Sequence, residues 1–354
     1  MQSFKKKDHE MIVPNIVKEA KLPVYSQALL CTAERKTCTN LSKNIGKSHD
    51  YLYQEFRNPI ANKESINSEL IVIAQTATAG DKAYLILDDS RLIKPHATNM
   101  EGVDLGFDGS SGRPEFGLQI ITAMITNGTI KIPVSAMPYI SKDLAGKNFK
   151  SKSQLAHQMY SKIVELFGRI DLAIFDAHFA TKYFLPILAE LQQNFLMKFT
   201  RTRVVTIGGK TAQLKKLLRL KKNQRIKKIC GQFDGLEYFF YVAKDHNKNI
   251  RYFISLYEIS HEQLLLLYKI RWNIELYHRT AKQYLGWKDC QMKSIEKQEL
   301  HTLYVMYAYT HAELIRVKLG LQSTEQAIKM FRDVKPTKYR KTKHRSNRDL
   351  YAYA

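Results

Sequence analysis

The apolar positions of this chain change period several times, and each change marks an element. Residues 83–87 form a short apolar run that passes directly into Asp88, Asp89 and Ser90. Residues 116–125 and 129–137 are β-rich runs meeting at Asn127-Gly128, a dipeptide suited to the positive φ angles of a tight hairpin. Over 153–167 the period lengthens to that of a helix, with Leu155, Met159, Ile163 and Phe167 on one face. A second apolar run at 172–175 ends on an acid, Asp176, and a helix over 181–192 and a strand over 195–199 follow. Residues 201–207, 226–230, 238–242 and 251–256 again have strand character, with Gly208-Gly209 and 245–249 as turns between them. A long helical pattern from about 260 to 285 comes next, and another over 299–318.

Nearer the start, residues 37–57 read as two short helices around Gly46. Leu41 and Ile45 lie one turn apart before it, Leu52 and Phe56 repeat that spacing after it, and Ser48 is placed to cap the second helix. This is the helix-turn-helix pattern, although any αα-hairpin with a glycine turn shares it. The central order of strand, strand, strand, helix, strand, helix, strand is that of an RNase H-like core. The expected fold class is therefore α/β: an RNase H-like mixed-sheet catalytic core with a β-rich insertion and a small helical N-terminal DNA-binding segment. The boundaries expected are a helical region at 1–78, core at 79–200, insertion at 201–256, a helical second part of the core at 257–322, and a tail at 323–354.

Charge adds a partner to this picture. Of 354 residues, 56 are Lys or Arg against 33 Asp or Glu, a surplus that favours a polyanion. Its distribution is uneven: residues 1–198 are close to balanced, whereas 199–255 carry 14 basic and 3 acidic side chains. Between 191 and 233 there is no acid at all, and residues 335–348 add seven bases without one. A charge run is commonly just a solvated face, but two in an otherwise balanced chain favour a surface that tracks phosphates. No apolar run approaches the length of a membrane span, and the opening residues lack the apolar stretch of a signal peptide, so neither insertion nor export is expected. The four cysteines show no CxxC spacing, which argues against a disulfide framework or a zinc site.

Candidate chemistry sits on the central runs. An acid at the carboxyl end of a central strand projects into a crevice, and Asp88 and Asp176 both follow apolar runs. One such acid is ordinarily a strand terminator or a helix cap; two invite shared divalent ions, because hard oxygen donors from different strands form a magnesium or manganese cradle. The helical stretch after the insertion offers a third. At about 100° per residue, Tyr268, Arg271, Glu275 and Lys282 fall within one arc of about 60°, with Arg279 beside them and Trp272 at the border. Ile270, Ile274, Tyr277 and Ala281 occupy the opposite arc. An ordinary amphipathic helix with an Arg271–Glu275 pair at i,i+4 has the same appearance.

The spacing Tyr-x2-Arg-x3-Glu-x6-Lys at Tyr268, Arg271, Glu275 and Lys282 resembles the signature of the bacterial DDE insertion-sequence transposases of the YREK group. Asp88-Asp89-Ser90 is similar to that family's first motif, an Asp followed two places later by Ser or Thr. Residues 174–179, with Asp176, resemble its second. A β-rich insertion between the second Asp and the Glu is also a feature of the family. The likeness spans about residues 80–320, is thin over the first 75 and is absent from the basic tail. The doublet Asp88-Asp89 leaves two candidates for one ligand, and the Asp-x-Ser spacing selects Asp88.

The resemblance implies cut-and-paste DNA transposition, with metal-dependent strand cleavage at inverted-repeat ends followed by strand transfer. Asp88, Asp176 and Glu275 would be the catalytic residues and the ligands of two divalent metal ions, Mg with Mn as substitute. Tyr268, Arg271 and Lys282 would grip phosphates near the cleavage point, and family members pass through a hairpin on the transposon end. Trp272 would either stack on a displaced base or form part of the core rim, and Arg279 shares the DNA-facing side. Implied partners are double-stranded DNA, as terminal inverted repeats and as target, and a second copy of the chain as a homodimer on DNA. The implied compartment is the bacterial cytoplasm, associated with the nucleoid. In the 37–57 segment, His49, Asp50 and Tyr53 are the positions expected to be exposed for reading the repeat. His178 is expected to be structural or a phosphate contact, and 102–112 a flexible loop. Two alternatives remain: a catalytically inactive, transposase-derived DNA-binding protein, and an RNase H-like nuclease or resolvase. The presence of all three carboxylates speaks against the first and the Tyr-Arg-Glu-Lys helix against the second.

Overall fold

The computed structural model describes residues 22–97, 99–109, 111–245 and 247–333. The basic stretch at 335–348 lies outside the described residues. The helices are α1 (Val24–Cys31), α2 (Cys38–Ile45), α3 (His49–Gln54), α4 (Pro59–Ala77), α5 (Lys142–Ala145), α6 (Lys152–Phe167), α7 (Phe184–Glu190), α8 (Leu214–Leu217), α9 (His261–Ile270), α10 (Trp272–Tyr284), α11 (Ile295–Lys318) and α12 (Thr324–Asp333). The strands are β1 (Tyr84–Ile93), β2 (Asp104–Asp108), β3 (Arg113–Thr126), β4 (Lys131–Tyr139), β5 (Leu172–Phe175), β6 (Phe195–Lys198), β7 (Val204–Ile207), β8 (Lys210–Gln213), β9 (Ile226–Phe233), β10 (Leu236–Lys244) and β11 (Ile250–Ser255). The described residues divide into two compact units: those of 22–70, 99–101 and 278–333 form one, and those of 71–97 and 102–277 the other.

The first unit is helical. Thr37 caps α2 by accepting from the Asn40 amide at 3.3 Å, Gly46 ends it at φ +64°, and Ser48 caps α3 by accepting from the Tyr51 amide at 3.1 Å. Leu41, Leu52 and Phe56 are buried, while His49, Asp50 and Tyr53 stay exposed. The central element is α11, whose residues 300–313 are all buried, so a helix buried on every side lies among the others. Several of its polar side chains are hydrogen-bonded within the core. Trp287 donates its indole N–H to Thr302 Oγ1 at 3.0 Å, and His301 hydrogen-bonds both Tyr25 and the Gly286 carbonyl. No helix among the described residues is long and apolar enough to cross a membrane.

The second unit is built on one sheet, eleven-stranded among the described residues. The order β4-β3-β1-β5-β6 has β3 antiparallel to β1 and to β4, and β5 parallel to both β1 and β6. That is the mixed order of an RNase H-like core, as expected from the sequence. The Asn127-Gly128 turn joins β3 to β4, with Gly128 at φ +97° and Asn127 Oδ1 accepting from the amides of Thr129 and Ile130 at 3.0 Å. From β6 the sheet continues through β11, β10, β9, β7 and β8, so the strands of the 201–256 segment extend the same hydrogen-bonded ladder.

Three local expectations change. First, β1 does not stop at residue 87: β3 pairs it as far as Ile93, although its parallel neighbour β5 ends at Phe175. Second, residues 104–108 are an edge strand on β3 rather than a flexible loop. Third, the helix over 260–285 is broken. Arg271 donates its amide to the Tyr268 carbonyl at 3.2 Å and accepts from the Ile274 amide at 3.2 Å, so three-residue bonds replace the four-residue ladder between α9 and α10.

The edge strand is fastened from the centre of the sheet. Arg91, only 7% exposed, donates to the Glu115 carbonyl at 3.1 Å and to Asp104 Oδ1 at 2.7 Å. It crosses β3 where Gly117 leaves space: a Cβ there would stand 2.7 Å from the Leu92 carbonyl and 3.1 Å from Arg91 Cγ. Gly117→Ala should therefore lower stability by about 1–3 kcal/mol, the range for overpacking. Gly109→Ala, in open space, should change it little. Denaturant unfolding of both variants checks this; equal midpoints would refute the steric account.

Candidate active site

Side chains alternate across a strand, and the register of β1 against β5 places two acids together. Tyr84, Leu85, Ile86 and Leu87 pair with Leu172, Ala173, Ile174 and Phe175 in parallel. Asp88 and Asp176 are the next residues of each chain, at the same level and of the same parity as Ile86 and Ile174. The β5 side chains of that parity, Leu172 and Ile174, pack with Leu196, Phe253 and Leu264 in a core that also takes in Tyr268 and Ile270. The end of α9 thus lies over the face to which Asp88 and Asp176 belong.

The junction at Arg271 completes the cluster. Arg271 Nη1 donates to Asp88 Oδ2 at 2.7 Å, and Nη2 donates to Glu275 Oε1. Tyr268 donates its hydroxyl to Asp176 Oδ1 at 3.4 Å, and its ring meets Phe253 edge to face, 4.8 Å between centroids. All three predicted carboxylates are thus held by one Arg and one Tyr of the predicted motif. Asp89 has the other parity and other partners: Lys152 Nζ at 2.5 Å and the Gln119 side-chain amide. Lys152, Gln119 and Phe253 were not singled out from the sequence. For Lys152 a signal existed, since it opens α6 directly after its N-cap Ser151, inside the capping box that Ser151 forms with Gln154. Nothing local marks the other two.

Of the remaining predicted residues, Trp272 is 53% exposed at the start of α10. Ile274, Tyr277 and Ala281 are buried as the opposite apolar face. Arg279 is exposed and Lys282 half-buried, both on the part of α10 that clusters with the helical unit. His178 is exposed in the turn after Asp176.

The electrostatics follow from burial. Asp88 is pushed up to about 7, chiefly by desolvation and further by Asp89 and Asp176, against the pull of Arg271. Burial also holds the Tyr268 hydroxyl well above the ordinary phenol range, so it remains a donor. Desolvation works against the Arg271 charge, but Asp88, Tyr268 and Glu275 outweigh it and keep the guanidinium protonated. Three oxygen-donor carboxylates against one guanidinium are the hard, anionic donor set that suits Mg or Mn. As they stand, no three acidic, His or Cys side chains among the described residues are grouped to hold a metal ion. Arg271 spans Asp88 and Glu275 in this arrangement. The residues fit a divalent ion by donor chemistry, with Arg271 now supplying the countercharge.

The mixed sheet order makes this an RNase H-like α/β protein, and comparison with known proteins narrows that. The DDE superfamily endonuclease family is matched over residues 13–217 and a transposase DDE domain over 141–310. The first covers more than half of the chain, and the protein belongs to that DDE superfamily. Among solved structures, the cryo-EM structure of the piggyBac transposase synaptic complex with hairpin DNA has a similar fold. Its TM-score is 0.51 at 10% identity, over 95% of this chain and 72% of that one. The NurA nuclease of Sulfolobus solfataricus aligns over 77% of this chain and 96% of its own, with TM-score 0.27 and 12% identity. No curated protein matches this chain.

Burial of Asp88 has a measurable consequence. Its carboxyl titrates near 7 when folded and at about 3.9 when unfolded, so the fold favours the protonated form. The resulting stability is fully present below about pH 4 and is lost as pH rises through about 7. In EDTA, denaturant midpoints of the wild type should fall across this window relative to Asp88→Asn. Parallel profiles would show that Asp88 is not the titrating group.

Proposed function

We propose that the protein is a DNA transposase that cleaves strands at the inverted-repeat ends of a mobile element and joins the cut 3′ ends to target DNA. The observation that carries the reading is the meeting of Asp88, Asp176 and Glu275 on Arg271 and Tyr268, in a chain of the DDE superfamily. Asp88, Asp176 and Glu275 would hold two divalent ions, Mg or Mn. Such ions, when bound, lower the pKa of the attacking oxygen and neutralise charge on the departing one. The chain's own part is to gather the carboxylates and aim the DNA. Asp88 must ionise to act as a ligand. The Arg271 fork, which spans two carboxylates here, matches a phosphate equally well. Turning it to DNA would leave Asp88 Oδ2 and Glu275 Oε1 as bare donors. Tyr268 orients Asp176 through its hydroxyl. Trp272 offers an exposed aromatic face to a displaced base, and Arg279 and Lys282 add cations along the same helix.

The α2–α3 pair, with His49, Asp50 and Tyr53 exposed, is the proposed reader of the terminal repeat. A homodimer on DNA belongs to the proposal because two ends must be cut in concert. The hairpin named for the piggyBac complex is the intermediate we assign to this chain, and the bacterial cytoplasm and nucleoid its site of action.

The test uses duplexes carrying the element's own ends, taken from the flanks of the gene, with Mg or Mn. Wild type should nick at the element boundary. Asp88→Asn, Asp176→Asn and Glu275→Gln should each lose at least about 100-fold in rate, the scale of losing one charge-stabilising group, while DNA binding survives. Asp89→Asn should cleave. Binding without cleavage by the wild type would instead identify an inactive DNA-binding descendant, and cleavage without joining a nuclease.

A further inference from the structure

A cleft of about 540 Å³ opens in the sheet unit where β7 and β8 meet the β9–β10 turn and residues 181–182. Arg203, immediately before β7, is the notable group in its wall. Its guanidinium carbon lies 5.0 Å from the Phe199 ring centre and 5.7 Å from that of Phe233, and these rings pack edge to face at 5.2 Å. Aromatic faces of this kind fix the plane of a guanidinium without using its N–H groups. Among the described residues the Arg203 guanidinium has no carboxylate or carbonyl partner. The acid lining the cleft, Asp234, is already engaged by Lys182 at 2.7 Å. Partial burial disfavours the Arg203 charge. Thr206 and Thr211, whose hydroxyls hydrogen-bond each other at 2.9 Å, line the same cleft.

An oriented, half-desolvated fork of donors with no anion paired to it is an incomplete ion pair, and it stands in a stretch with no acid from 191 to 233. We propose that the cleft is a phosphodiester site, in which Arg203, braced by Phe199 and Phe233, clamps one backbone phosphate of bound DNA with the Thr206 and Thr211 hydroxyls beside it. The proposal rests on the reading of the chain as DNA-acting but not on its catalysis. A single phosphodiester charge matches the single uncompensated guanidinium, and bidentate recognition suits its fork. Contacts of this class position DNA without reading sequence.

The experiment measures affinity of the full-length protein, in EDTA, for two fluorescent duplexes of unrelated sequence across a range of NaCl. Arg203→Ala should weaken binding to both duplexes by about tenfold. It should also reduce the slope of log affinity against log salt by about one. Thr211→Glu, at an exposed position away from the Phe199–Phe233 packing, should weaken both at least as much by placing a carboxylate in the cleft. Wild-type affinity and slope in Arg203→Ala would overturn the proposal. So would a loss confined to one duplex, a loss that Thr211→Glu fails to reproduce, or a wild type that binds neither duplex. A wild type that binds but does not cut sinks the transposase reading and leaves this site intact. A wild type that cuts, with both variants binding normally, does the reverse.

Discussion

Arg271 reaches from the break between α9 and α10 to Asp88 on one side and Glu275 on the other, and much of the sheet unit is arranged around that reach. Asp88, Asp89 and Asp176 are brought close by the register of two parallel strands, and each acid raises the cost of ionising Asp88. Like charges at partial burial do not persist without a countercharge. The guanidinium supplies it from a position that an unbroken helix would present differently, since the three-residue bonds at Arg271 tighten the turn where its side chain departs. The apolar contacts of Leu264, Ile259 and Phe253 then hold the end of α9 against the sheet.

The acid doublet shows how a strand separates two chemically identical side chains. Asp88 shares its parity with Ile86 and faces the helix junction; Asp89 shares that of Arg91 and enters a different network. There, Lys152 and Gln119 meet Asp89, and Arg91 ties β1 across β3 to Asp104 on the edge strand. One residue of displacement along the chain therefore separates a partly desolvated acid beside its neighbours from an acid neutralised by a lysine. This alternation also explains why β1 must continue past residue 87: the antiparallel bonds to β3 hold the doublet in register after β5 has ended.

The basic character of residues 191–233 is borne in part by strands of the extended sheet, at Lys198, Lys210, Lys227 and Lys228, and for the rest by α8 and the segments between strands. Charge repulsion among so many cations is reduced by spreading them over β8, α8, β9 and the connecting turns, with local relief where Lys228 meets Glu258. Arg203 differs in being packed over aromatic rings and left without an acid. Arg271, also half-buried, is by contrast paired with both Asp88 and Glu275.

Local rules account for what could be read from residue order. Alternation and helical spacing marked most strands and helices, Asn127-Gly128 marked its hairpin, and Thr37, Gly46 and Ser48 marked the ends of α2 and α3, because these depend on neighbours a few residues apart. The family resemblance selected Asp88, Asp176, Tyr268, Arg271 and Glu275 from the candidates that the same rules offered. They placed the last three on one arc of a continuous helix, and this is where they stopped short: the break at Arg271 arises from packing of α9 and α10 rather than from any glycine or proline. They also gave no strand at Asp104–Asp108 or Lys210–Gln213, whose pairing comes from β3 and β7. The face to which each acid of the doublet turns, the contact of Lys152 with Asp89 and the rings under Arg203 involve residues tens of positions apart. Residue order determines which groups a segment carries and their period; strand register and helix docking decide which of them meet, because only they bring distant segments within hydrogen-bond reach.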